Sequence, residues 1–326
     1  MFSGPDFLCA NAFFPNASTY VMSGLEPTGP VPDLTKLSRE GRARSFRNIE
    51  ESLNSILTYS FFQTIDMRRS FATAGFRGTL PIIYVLLART GKTIREVSPL
   101  SLDQSGRAQV DGGADGARTY GVKIDFVGDD ERLRTIYYFN VNVDNDGFKA
   151  SGFARFCESL GTGDAFVKSA SYLMHRANFS DVRNFLLEHT RLILQDDSGI
   201  PLSRFDQAGW RLRPFGHYSG PIALFANRYQ PNLTQLFNQR PVESIDFGIG
   251  YRWHPQNSSL IVATRTDAAT AGAVAGEQSE VVPDKSSTAI GTNRKTHRTV
   301  SRHARNRSSV RTRLLVGQRS FWFADW

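Results

Sequence analysis

The sequence predicts an α/β fold, with α+β as the alternative: a mixed sheet that contains an antiparallel hairpin and is flanked by helices. Three observations carry this. Apolar residues recur at helical spacing in several segments, two alternating segments lie between Tyr120 and Val143, and the chain opens on a turn, a helix and a strand in succession. With 40% hydrophobic and 12% aromatic residues, the 326-residue chain can build a real core.

The opening "FSGPDFLCANAFFPNASTYVMSGLEP" reads as a Ser-Gly-Pro turn, a helix over Asp6–Phe14 broken by Pro15, and a strand from Thr19 to Met22 that ends near Glu26. This is the second half of a βαβ unit. A strand is therefore expected before Ser3, and the chain begins too late to contain it, which predicts a truncated amino terminus. Phe46, Ile49, Leu53, Ile56, Leu57 and Phe61 share one face of a helix over Gly41–Phe62. A buried helix is expected over Leu80–Thr90, with Thr79 as N-cap, Pro81 in the first turn and Gly91 as stop. Its apolar run ends at Arg89, about half the length that a membrane-spanning helix needs.

Tyr120 to Phe126 and Thr135 to Val143 form the hairpin, closed at "DNDG", Asp144–Gly147. Helices are then expected over Phe153–Leu160, over Ala165–His175, and from a capping Ser180 to His189. Leu192–Gln195 reads as a strand and Asp196–Gly199 as a turn, and "DFGIGYRW" and "SLIVATR" read as closing strands.

The formal charge of +8 is uneven. From Pro255 onward eleven Lys and Arg face five Asp and Glu, a net +6, which leaves +2 for residues 1–254. The chain from about Thr264 to Arg313 has no apolar periodicity and no aromatic residue, so it cannot offset the entropy of ordering. The expected organisation is one globular domain over residues 1–263 and a disordered basic tail over 264–326. Arg294 to Arg319 could hold RNA or an anionic surface by counterion release, although the aromatic residues that stack bases come only at Phe321 and Trp322. A solvated tail without function is the simpler reading.

Few motifs carry chemistry. "RTGKT" at Arg89–Thr93 has Leu86 where a phosphate loop needs its first glycine, and Asn142, Asp144 and Asp146 start a calcium loop whose twelfth position is Phe153. Both are rejected, and Cys9 and Cys157 have no metal-site spacing, so no metal is expected. The spacing from Gly4 to Glu26 is similar to the Rossmann layout of a glycine turn and a ribose-binding acid, which makes an enzyme binding a nucleotide or S-adenosylmethionine the second functional reading. Pro5 removes one N–H that such a cradle would use. An internal echo aligns Phe2–Asn16 with Tyr218–Asn232 without gaps, pairing Ser3, Gly4 and Pro5 with Ser219, Gly220 and Pro221. For hydrolytic chemistry the available groups include His175, His189, His217, Asp196, Asp197, Ser198, Ser219 and Cys157, but no nucleophile elbow joins them.

"FSGPDFLCANAFFPNASTYVMSGLEPTGPVPDL", with "LQDDSGIPLSRF" and "GHYSGPI", resembles a family of uncharacterised bacterial proteins in which the Phe-Ser-Gly-Pro-Asp segment follows a strand. The resemblance covers Phe2 to Arg265 and implies no activity. This chain departs from it in lacking the upstream segment and in having Cys9 where an aromatic residue is expected. No export signal opens the chain, which predicts a cytoplasmic protein as given; the export signals of some family members imply an extracytoplasmic one if a segment precedes Met1. The preferred expectation is a ligand-binding or interaction module. Its candidate residues are Ser3, Gly4, Asp6, Glu26, Asp196, Asp197, His217, Ser219 and Gly220, centred on the Ser3–Asp6 and Ser219–Pro221 turns. The third reading is nucleic-acid binding through the tail.

Overall fold

The computed structural model describes residues 2–59, 78–110, 119–206, 208–239 and 241–266. The basic tail lies outside the described residues. Compact packing defines one unit, Met1–Thr266.

The opening is a turn between two parallel strands. β1 (Phe2–Ser3) pairs with Met22–Ser23 of β2 (Thr19–Gly24), and α1 (Phe7–Phe13) connects them. The strand expected before Ser3 is thus present as two residues. α2 (Arg39–Tyr59) follows the predicted rhythm, with Ile49 buried, but Phe46 stands half exposed; the remainder of the predicted helix lies outside the described residues. α3 (Leu80–Arg89) is buried as its apolar run demands. Thr79 does not cap it: that residue is already helical, and Thr79 and Leu80 donate their N–H groups to Pro27 and Thr28 carbonyls instead.

β3 (Thr93–Leu102), which the sequence reading left unassigned, pairs antiparallel with β4 (Ala108–Val110) and with β5 (Thr119–Val127). β5 and β6 (Leu133–Asn140) are the predicted hairpin, and β6 runs parallel to β2. The first sheet has the order β1-β2-β6-β5-β3-β4. At its end, "DNDG" is not a closing turn. Asp144 accepts the Gly147 N–H at 2.8 Å and so caps α4 (Asn145–Ala150), because an Asp side chain satisfies a free helical N–H as readily as it closes a turn.

α5 (Phe153–Ser159) leads into β7 (Gly163–Val167), where the sequence suggested the start of a helix. Ala165 and Val167 enter one core and Phe166 the other, so three successive positions of the strand are apolar and its period is hidden. The rest of that predicted helix is a 3₁₀ turn, Ala170–His175. α6 (Ser180–His189) then feeds β8 (Thr190–Gln195), with Ser180 inside the helix instead of capping it. β9 (Trp210–Gly216), α7 (Pro231–Asn238) and β10 (Ser259–Arg265) complete a second sheet ordered β7-β8-β10-β9. β7 and β8 are parallel, and β10 is antiparallel to both neighbours. "SLIVATR" is therefore a strand, as expected. "DFGIGYRW" is not; it holds only the isolated bridge Ile249–Arg252, because Gly250 at φ 71° turns the chain.

Two large cores and a smaller one, Tyr218, Leu233, Phe237 and Ile261, pack on the sheets. Of the large cores, one unites α1, α3, Tyr20, Met22, Val122, Ile124 and Phe126; the other unites α5, α6, Phe139, Phe148 and Trp210 on the opposite face. In β8, Ile193 and Leu194 point to different cores, the alternation that a sheet covered on both faces requires.

The domain boundary moves from residue 263 to beyond Arg265. Arg265 donates from Nη2 to the Leu187 carbonyl and from Nε to the Thr190 carbonyl, and lies 4.8 Å over the Trp210 ring. A cation at the carboxyl end of α6 is favoured by the helix dipole. Arg265→Ala is expected to cost about 1–2 kcal/mol, read from the denaturation midpoint. A midpoint equal to the wild type would return Arg265 to the tail.

Candidate functional site

The parallel strands place the chemistry. β1 and β7 are neighbouring edges of the two sheets, and from them the chain proceeds in opposite directions, to β2 on one side and to β8 on the other. In open α/β sheets the carboxyl ends of the strands at such a divergence are where ligand groups gather. Asp6 follows β1, Lys168 follows β7, Asp196 follows β8 and Glu26 follows β2.

Lys168 Nζ lies 3.2 Å from Asp6 Oδ2, with the two side chains 8% and 10% exposed. Asp6 Oδ1 also accepts the Cys9 N–H at 3.0 Å and so caps α1. Burial disfavours the Lys168 ammonium, but Asp6, through its charge and its hydrogen bond, holds the lysine above its ordinary range. The Cys9 thiol is pushed up by burial and by Asp6, which keeps it protonated.

Next to this ion pair stand the two carboxyl groups of the "QDDSG" turn, Asp196 at 1% and Asp197 at 8% exposure. Asp196 Oδ1 accepts the Ser198 N–H at 3.0 Å and the Ser198 hydroxyl at 2.5 Å, and that hydroxyl accepts the Ser169 N–H. Asp196 Oδ2 is buried, has no hydrogen-bond partner among the described residues, and lies against Gly250, where any Cβ would collide with it. Asp197 Oδ2 accepts the Tyr172 hydroxyl at 2.5 Å. Both carboxyls are raised above the usual range. Burial is the main cause for each, joined at Asp196 by the charge of Asp197. The pair thus retains a proton where exposed carboxylates have lost theirs.

Tyr172 anchors an aromatic wall. Its ring lies parallel to Tyr251 at 5.9 Å, and Phe225 leans on both, at 5.2 and 5.1 Å. Ser171 and Tyr172 both have positive φ, 55° and 50°, which non-glycine residues adopt only when their surroundings compel it. The Ser171 N–H donates to the Tyr251 hydroxyl at 2.7 Å. His175, edge-on to Tyr172, is depressed to about 4 by burial and by Arg228.

Both echoed turns reach this cluster, the first through Asp6 and the second through Arg252. Gly4 and Gly220 share a positive φ, 73° and 87°, but an α-helix follows the first and a 3₁₀ turn, Ala223–Arg228, the second. Arg252 donates from Nε to the Gly220 carbonyl and from Nη2 to the Pro221 carbonyl, while its charge bears on Asp197. The backbone of Ser3 pairs with Ser23.

Of the predicted site residues, Asp6, Asp196, Asp197 and Gly220 thus belong to one network. Glu26 sits buried at the same edge, turned toward Tyr138, whose hydroxyl donates to the Glu26 carbonyl at 2.9 Å. His217 and Ser219 are exposed, and His217 lines a separate 620 Å³ cavity with Tyr218, Phe237 and Val242. Sequence reasoning missed Lys168, Tyr172, Tyr251 and Arg252. The usable signal for Lys168 was a lone cation ending the apolar segment "AFV".

A wider cavity of about 660 Å³ opens at the amino ends of β2, β7 and β8, between Phe14, Leu160, Phe185 and Arg191. It contains none of the buried carboxyls, so the chemistry lies at the opposite ends of the strands. Among the described residues no cluster of His, Cys, Asp and Glu could hold a metal ion, and no helix is long and apolar enough to cross a membrane. Compared with protein-family models, with curated proteins and with solved structures, the chain has no match.

Proposed function

We propose that this chain is a ligand-binding module whose site lies at the carboxyl ends of β1 and β7, bordered by the Ser3–Asp6 turn and by the Ser219–Pro221 turn. The observation that carries this is Asp196: a carboxyl buried beside a second carboxyl, with one oxygen unpartnered. Burying such a group costs several kcal/mol unless something repays it, and packing alone gives no reason for it. Asp196 Oδ1 already accepts two hydrogen bonds and the pair holds a proton, so the remaining oxygen can donate as well as accept, and the ligand carries hydroxyl-like groups that do both.

A nucleotide fits less well. The place at the start of α1 where a phosphate would sit already holds the Asp6 carboxylate. Thermal-shift titration with small polyols, amines, adenosine triphosphate and S-adenosylmethionine separates the readings. A donor-rich compound is expected to stabilise the wild type, by about 2.7 kcal/mol at a hundredfold excess over Kd, and to do so much less in Asp197→Asn. Stabilisation by the nucleotides alone, or a shift that survives substitution of both aspartates, would remove the proposal.

A further inference from the structure

A site at the carboxyl ends of strands is normally open, yet Tyr172 is only 1% exposed. What covers it is the segment 219–229. Its backbone hydrogen bonds are local, from Phe225 N–H to the Ile222 carbonyl and from Tyr229 N–H to the Ala226 carbonyl. Side chains hold it in place, and the Tyr229 hydroxyl accepts from the Thr234 hydroxyl at 2.8 Å. Arg252 grips the Gly220 and Pro221 carbonyls, the Tyr229 ring lies parallel to Tyr218, and Phe225 fits against Tyr172 and Tyr251. One residue before that plug, Leu224 is 78% exposed. A segment held by side-chain grips and short-range backbone bonds opens at far lower cost than a strand inside a sheet.

We propose that residues 219–229 are a strap that closes the carboxyl-pair site, with Phe225 as plug and Arg252 as clasp, and that Phe225 holds the place of a neutral hydroxylated ring. The ligand part rests on the function proposed above; the strap itself does not. The vacated space would be bounded by two tyrosine rings, suited to a flat face, with the Asp197 carboxyl beyond the Tyr172 hydroxyl, suited to a donor. The retained proton of the carboxyl pair and the Arg252 charge offset the acidity, so a neutral hydroxyl fits better than an ammonium. A phenol and a sugar share this chemistry.

Hydrogen exchange on the full chain tests both parts, using wild type, Arg252→Gln and Phe225→Ala, each alone and with phenol, methyl glucopyranoside or benzylamine at millimolar concentration. The strap predicts that amides of 219–229 exchange faster than those of β8 and β10. It also predicts that Arg252→Gln speeds them by roughly tenfold while β8 and β10 stay unchanged. If 219–229 exchanges together with β10 in every variant, the strap is refuted. The ligand part predicts that phenol or the glucoside slows exchange at Ser171 and Tyr172, and does so about tenfold more tightly in Phe225→Ala, where the competing ring is gone. Phenol alone would point to aromatic alcohols and the glucoside alone to sugars, either one in support. Protection by benzylamine only would overturn the neutral-ring assignment. A strap that opens with no protection by any of the three would leave the strap standing and count against the binding site.

Discussion

Replacing Lys168 by Met is expected to destabilise the fold by about 3–5 kcal/mol, the cost of leaving a buried carboxylate without its partner. Asp6 Oδ2 would lose the ammonium at 3.2 Å, while Oδ1 keeps the Cys9 N–H, which does not neutralise the carboxylate. The double variant Lys168→Met/Asp6→Asn should recover most of the loss, since Asn still caps α1 and no charge remains buried. Equilibrium denaturation of the four proteins gives the coupling energy. Losses that simply add would mean that Asp6 and Lys168 do not depend on one another. Because an ion pair of this kind contributes little net stability compared with apolar residues of the same volume, its presence at the junction argues for a role other than holding the sheets together.

The second large effect depends on pH. Asp196→Asn should be no more stable than the wild type near pH 4 and more stable by on the order of 2 kcal/mol at pH 8. In the folded wild type, burial and the charge of Asp197 raise the Asp196 carboxyl, so above the ordinary carboxylate range the native state holds more protons than the unfolded chain. Stability therefore falls as pH rises through that window. The amide has no such proton to lose. At low pH the variant gains nothing, and its NH₂, placed where Oδ2 now lacks a partner, lacks one as well. His175 works in the other direction: depressed to about 4, it adds stability that is full above its ordinary value of 6.5 and is lost as pH falls through 4. That contribution is common to both proteins and cancels in their difference. Denaturation midpoints from pH 4 to 8 settle the matter, and a difference that does not vary with pH would mean that Asp196 ionises as an exposed carboxyl does.

Half of the site was legible in the chain. Asp6 and the Asp196–Asp197 turn stood out because turns that end strands concentrate Asp, Gly and Pro, and the echo marked Gly220. Glu26 was also placed at the correct edge, but whether it faced the site depended on Tyr138, 112 positions away. Lys168 was hidden by a misread neighbour. The run Ala165–Val167 is buried on both faces, so it lacks the alternation that marks a strand, and a helix beginning at Ala165 gives Lys168 no sheet edge on which to stand. Arg252 and Tyr251 fall in "DFGIGYRW", whose composition suits a strand; only the turn at Gly250 and the grip on residues 220 and 221 give them their roles.

The amino-acid sequence by itself determined the α/β class, most helices, the β5–β6 hairpin and the place of the Asp196–Asp197 turn, because periodicity and turn chemistry act over a few residues. Only the tertiary structure decided that there are two sheets, that their divergence at β1 and β7 sets Asp6 against Lys168, and that residues 219–229 cover the carboxyl pair. Those outcomes depend on strand pairing and on side-chain contacts between distant segments, and the free energy of such contacts is not encoded at either position alone.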